Sequence, residues 1–84
     1  MIKLLYFSWV REKIGRSQER FDLPASISTA AALLDWLEKR SDDHAAALSD
    51  RACIRVAVNQ QFVDPDASIC DGDEIAIFPP VTGG

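Results

Sequence analysis

Residues 71–84 read Asp71-Gly72-Asp73-Glu74-Ile75-Ala76-Ile77-Phe78-Pro79-Pro80-Val81-Thr82-Gly83-Gly84, and this stretch decides the fold. Asp71-Gly72-Asp73 is a turn signal, and Ile75 and Ile77 then alternate with Ala76 and Phe78 at the two-residue period of a strand. Pro79-Pro80 cannot extend a sheet ladder and favours a stiff polyproline lead. The expectation is a last strand over 74–78, a domain spanning residues 1–78, and a flexible tail over 79–84. At roughly 3.3–3.6 Å per extended residue, such a tail reaches about 20 Å.

Upstream, Ile2 to Val10 is rich in β-branched and aromatic residues and apolar on both alternating faces, as a central strand would be. Gly15 is suited to a turn, and Gln18 to Leu23 alternates Glu19, Phe21 and Leu23 against Gln18, Arg20 and Asp22, as in an edge strand paired to the first in a hairpin. Pro24 stops it. Ser28 is placed to cap one long helix, in which Ala30, Leu33, Leu34 and Leu37 form a single stripe. Ser41-Asp42-Asp43 can cap a shorter helical piece from His44 to Leu48. Ile54, Val56 and Val58 alternate in a further strand, and Asn59-Gln60-Gln61 turns into a short Phe62-Val63 strand. The order β-β-α-β-β-β predicts an α+β architecture, a mixed sheet with one main helix packed on one face, which is the order of the β-grasp, or ubiquitin-like, fold.

Composition narrows the function classes. The 84 residues are 48% hydrophobic and 26% charged, the balance of one globular domain. Nine basic against thirteen acidic residues give a net charge of -4 with no basic stripe, which speaks against nucleic acid as a partner. Cys53 and Cys70 lack CxxC spacing, and a reducing cytoplasm is expected. The apolar start is short and interrupted by Lys3 and Ser8, so no signal peptide, membrane span or membrane partner is expected.

The chemistry lies at the chain's end. Gly83 and Gly84 carry no side chains, so the terminal carbonyl can be approached from every side and the backbone fits a narrow channel. A carboxylate ionised at neutral pH resists nucleophiles until it is activated, for example as an acyl-adenylate. Such slimness suits a substrate for another protein, and the alternative reading is a terminus with no role.

Leu5 to Gly15 (LYFSWVREKIG) and Val58 to Gly84 (VNQQFVDPDASICDGDEIAIFPPVTGG) resemble the small subunits of molybdopterin synthase, ubiquitin-like sulfur carriers of molybdenum-cofactor biosynthesis. The portion from Asp71 to Gly84 is the specific part. The resemblance implies that Gly84, with Gly83, is adenylated by an ATP-dependent adenylyltransferase related to ubiquitin activators and converted to a thiocarboxylate with sulfur from a donor protein. It implies insertion of Pro79, Pro80, Val81, Thr82 and the two glycines into the synthase large subunit, in a heterotetramer. Sulfur then passes to cyclic pyranopterin monophosphate to build the dithiolene. Catalytic side chains are expected in the large subunit, with no permanently bound cofactor here; the acyl-adenylate and thiocarboxylate are covalent intermediates. By position, Phe7, Phe62 and Phe78 match the family's docking patch. If Ile75 and Ile77 face the helix, Phe78 faces outward, and Phe7 lies likewise opposite Tyr6 and Leu4. Trp9 would extend the patch. In the family the acidic turn lies beside the tail, which makes Asp73 and Glu74 candidates for recognition by the activating enzyme.

Other readings are weaker. Asp71-Gly72-Asp73-Glu74 lacks the remaining ligands of a calcium loop. Cys53, Cys70 and His44 are too few for a zinc or iron–sulfur site, so no metal is expected; buried structural thiols and a His44 on a solvated helix face are expected instead. Trp36, three residues after Leu33, is expected in the core. Rival functions are a ubiquitin-like modifier joined to lysines through Gly84, a plain β-grasp interaction domain, and a thiamine-type sulfur carrier.

Overall fold

Ile2, Leu4 and Tyr6 turn to one side of a strand and Lys3 and Leu5 to the other, and they form β1, Ile2–Tyr6. The computed structural model describes residues 1–80 of the chain. The strand ends four residues earlier than the alternation predicts, because the backbone turns at Ser8 (φ 56°) into a helix, α1, Ser8–Ile14. Val10 and Ile14, one helical turn apart, are its buried residues. Gly15 (φ 89°) closes α1 in the left-handed region, its N–H donating to the Arg11 carbonyl at 2.8 Å. The expected hairpin keeps its antiparallel pairing, but its connection is a helix rather than a turn.

The second strand, β2, Gln18–Phe21, pairs antiparallel with β1, Ile2 opposite Phe21, and lies at the sheet edge as predicted. α2, Ala30–Glu38, buries Ala30, Leu33, Leu34 and Leu37, the stripe read from the sequence. Its cap is Thr29 rather than Ser28: the Thr29 hydroxyl accepts from the Ala32 N–H at 3.2 Å. α3, Asp42–Leu48, is capped by Ser41, which accepts from the His44 N–H at 3.1 Å, and Asp42 and Asp43 place negative charge at the positive end of the helix.

After a 3-10 turn at Arg51–Cys53 come β3, Arg55–Val58, β4, Gln61–Val63, and β5, Glu74–Phe78. The strand order is β2-β1-β5-β3-β4, with β1 and β5 parallel at the centre and every other pair antiparallel. This mixed sheet covered by helices on one face is the β-grasp architecture, with α1 added to the expected element order.

Ile2, Leu4, Tyr6, Val56, Ile75 and Ile77 from the sheet meet Val10, Leu33, Leu37 and Leu48 from the helices in one core. Burying each aliphatic side chain fully contributes about 1.5–3 kcal/mol. The opposite parity of the same strands, Leu5, Ala57, Ala76 and Phe78, therefore makes up a face that no helix covers. Trp36 is partly buried, edge-on to Phe21 with ring centroids 5.2 Å apart, in line with its expected packing role.

Candidate functional site

The helix-free face carries the phenylalanines that the sequence singled out. Phe62 on β4 is 79% exposed and Phe7, just past β1, is 45% exposed, while Phe78 at the end of β5 is half-buried. Phe62 and Phe78 touch, with ring centroids 5.5 Å apart and planes inclined at 41°. Phe7 is positioned by the parallel β1–β5 ladder: Tyr6 lies beside Ile77, and the Phe7 N–H donates to the Ile77 carbonyl at 3.2 Å. The next residue of β5 is Phe78. Ala57, opposite Phe62 on β3 and beside Ala76 on β5, is 6% exposed although it stands outside the main core. The aromatic rings thus roof a small apolar floor, and the register that assembles it could not be read from any one strand.

Pro79 and Pro80 follow Phe78 and are half-buried. Val81, Thr82, Gly83 and Gly84, the reactive end proposed from the sequence, lie outside the described residues. Trp9, expected to extend the patch, instead sits in α1, partly buried against the core with the Lys13 ammonium 5.4 Å above its ring.

The acidic turn lies at the opposite end of β5 from Phe78. Asp73 and Glu74 open β5 and Phe78 closes it, so the turn and the start of the tail are separated by the strand's length, roughly 13 Å at 3.3 Å per residue. Asp73 serves the turn itself: its carboxylate accepts from the Cys70 N–H at 2.9 Å and the Asn59 side-chain amide at 3.0 Å. The Cys70 N–H and these further bonds hold the Asp73 carboxyl below its ordinary range. Glu74 donates its own N–H to the Asn59 side-chain carbonyl at 3.0 Å.

Two further expectations are corrected. Cys53 and Cys70 are exposed free thiols, not buried ones. A hydrogen bond to Asp50 raises the Cys53 thiol, and the negative charge of Asp73 raises Cys70, so neither is a ready thiolate. His44 is 7% exposed rather than solvated. Its Nε2 donates to Glu19 Oε2 at 2.8 Å and its Nδ1 lies 2.7 Å from the Ser41 hydroxyl, while Tyr6 donates to the same Glu19 oxygen at 2.6 Å. Burial works against the Glu19 charge, but the Tyr6 and His44 hydrogen bonds outweigh it and hold this carboxyl below its ordinary range. Burial, and the bond to Glu19, push Tyr6 up.

Among the described residues no three His, Cys, Asp or Glu side chains gather as metal ligands, and no helix is long and apolar enough to cross a membrane. What the described residues offer on this face is exposed aromatic surface, Phe7 and Phe62 with the half-buried Phe78, followed directly by Pro79 and Pro80.

Comparison with known proteins gives this arrangement its setting. The model of the ThiS family matches residues 4–84. The molybdopterin synthase sulfur carrier subunit of Escherichia coli is 44% identical over 84 residues, covering all of both chains, and that of Haemophilus influenzae is 38% identical with the same coverage. Among solved structures, small archaeal modifier protein 1 of Haloferax volcanii superposes with a TM-score of 0.74 at 27% identity, over 95% of this chain and 97% of that one. On the family match and the full-length likeness to these relatives, the chain belongs to the ThiS family, alongside the molybdopterin synthase sulfur carrier subunits.

Proposed function

We propose that the chain is the sulfur carrier of molybdopterin synthase, its small subunit, and that Gly84 is the atom-carrying end. A partner enzyme joins the Gly84 carboxylate to AMP from ATP, releasing pyrophosphate. The terminal sulfur of a donor protein's persulfide then attacks the acyl carbon and displaces AMP, giving an acyl disulfide. A thiol reductant supplies two electrons to cleave its S–S bond, which leaves the thiocarboxylate on Gly84 and a disulfide between the donor and that thiol. The loaded tail enters the large subunit, whose side chains carry out the transfer of sulfur to cyclic pyranopterin monophosphate. The chain contributes a reactive terminus and a docking face, and acts in the cytoplasm.

The observation that carries this reading is the position of Phe78. It closes the central strand, packs on the exposed Phe62, and is followed directly by Pro79-Pro80. A protein that grips the aromatic face is thereby set to receive the tail. Large exposed aromatics on a small domain mark an interface. Mass spectrometry of the intact chain after incubation with the activating enzyme, ATP, a persulfide donor and a thiol reductant tests the proposal. The expected product is heavier by the difference between sulfur and oxygen. An unchanged mass with an active activating enzyme overturns it. Asp73 and Glu74 are kept as a recognition surface for that enzyme only if reversing both charges slows adenylation.

The likeness to small archaeal modifier protein 1 favours one second reading, conjugation of Gly84 to lysines of other proteins. Isopeptide-linked adducts in place of the thiocarboxylate would decide for it.

A further inference from the structure

Among the described residues the outer edge of β4 pairs with no other strand. β3 and β4 are joined by Asn59 and Gln60, both at positive φ, and Val58 lies opposite Gln61 across this two-residue turn. In such a hairpin the residues flanking the turn form a hydrogen-bonded pair and the next pair does not. The β3–β5 pairing agrees, since the Asn59 N–H donates to the Glu74 carbonyl at 2.7 Å, which fixes the odd-numbered residues of β3 toward β5. Phe62, opposite Ala57, therefore aims its backbone N–H and C=O away from the sheet.

Edge strands in monomers are commonly blunted by charge, proline or a covering element. Here the central edge residue is an aromatic 79% exposed. Beside it runs a groove of about 410 Å³ lined by Arg55, Val56, Phe62, Val63, Asp64 and Phe78. A second groove of about 260 Å³ shares Arg55, Val56, Val63 and Asp64 and continues to Leu34, Arg51 and Pro65, so a channel of mixed apolar and charged lining runs past the strand's end. The Arg55 guanidinium donates to the carbonyls of Ala52 and Ile54 and has no carboxylate partner among the described residues. Arg55 also lies directly across from Phe78 in the β3–β5 register, next to the point where the tail leaves.

We propose that β4 accepts an extended segment of the protein that takes the tail. The segment joins the sheet as a sixth strand through the Phe62 backbone, sets an apolar side chain in the groove and turns a carboxylate toward Arg55. This rests on the reading above, because a partner that holds the tail must lie against this edge. Pairing with a second copy is disfavoured by area: a three-residue edge against its twin covers far less than the roughly 1,200 Å² of a stable interface.

Amide exchange of the full-length chain, alone and with purified molybdopterin synthase large subunit from the same organism, is the test. The Phe62 N–H is expected to exchange at least about tenfold more slowly in the complex. Phe62→Pro, which removes that outward donor at an edge position where proline is tolerated, is expected to weaken binding about fivefold beyond Phe62→Ala, the worth of one net hydrogen bond. Should the proline variant melt early, the exchange measurement decides alone. Tight binding with Phe62 exchange unchanged overturns the strand addition and leaves the proposed function standing. No binding at all overturns both, and protection of Phe62 in the chain alone at high concentration assigns the edge to self-pairing and overturns it.

Discussion

At the scale of single residues, the most consequential group outside the aromatic face is Glu19, an edge-strand carboxylate only 7% exposed. It ties β2 to β1 through Tyr6 and to α3 through His44, and Arg16 lies 3.2 Å from its other oxygen. Removing it by Glu19→Ala strands the Tyr6 hydroxyl and the His44 ring, and is expected to cost about 1–3 kcal/mol in urea unfolding. The pH dependence follows from its lowered folded-state pKa. The unfolded carboxyl, with an ordinary value of 4.5, takes up its proton first as pH falls. The unfolded state thus binds more protons in that window, and stability rises with pH through it. The contribution is complete above the unfolded pKa and lost as pH drops through the folded one. Melting curves from pH 7 to pH 3 are expected to show a shallower acid limb for Glu19→Gln than for the parent; an identical limb would remove Glu19 as its source. None of this was legible in the sequence, since His44 and Glu19 stand 25 residues apart and helical periodicity reports only where a residue lies on its own helix. The thiols were misplaced for a related reason. Composition statistics put cysteine inside, while Cys53 and Cys70 sit in turns whose Asp50 and Asp73 they contact.

At the scale of elements, the strands with one apolar face were legible and the junctions were not. β5 and the stripe of α2 lie where alternation and the 3.6-residue period put them. The β1–α1 boundary was missed because Ile2 to Val10 is apolar throughout, so a strand pattern runs unbroken into the helix. The readable signal was Val10 and Ile14 one turn apart, followed by Gly15 at the helix end. The β3–β4 hairpin shows a local cost that the fold tolerates, with Asn59 at φ 50° and Gln60 at φ 72°. Asparagine accepts this region better than glutamine, and glycine at the second position is the favoured choice. Gln60→Gly is expected to stabilise by about 0.5–1 kcal/mol, the relief of left-handed strain less the added chain entropy. For a domain this small that raises the melting temperature by a few degrees, at about 4–8 °C per kcal/mol. A lowered melting temperature would mean that the Gln60 side chain itself holds the turn.

At the scale of the whole molecule, the core and the docking face are built from opposite sides of the same strands, so they can be perturbed separately. The main core closes with residues between Ile2 and Ile77, and Phe62 and Phe78 lie outside it. Phe62→Ala, at a position 79% exposed, is expected to leave unfolding free energy within about 0.5 kcal/mol while weakening large-subunit affinity by more than about 1 kcal/mol. Calorimetric binding and denaturation of the same variant separate these two quantities, and a stability loss with intact affinity would return the ring to a packing role. The tail allows the sharper separation. Gly84 carries no side chain and lies beyond two prolines that no ladder can absorb, so its removal is expected to take nothing from the core. Deleting Gly84 is therefore expected to leave the melting temperature unchanged and to preserve docking through the aromatic face. Yet Thr82-Gly83 then ends the chain one residue, roughly 3.3–3.6 Å, short of where an activating site holds the carboxylate, and misplacement on that scale costs orders of magnitude in rate. Adenylation and sulfur loading should fall to background, as pyrophosphate release and intact mass would report. A truncated chain that still loads sulfur would show that the reactive group is not the Gly84 carboxylate.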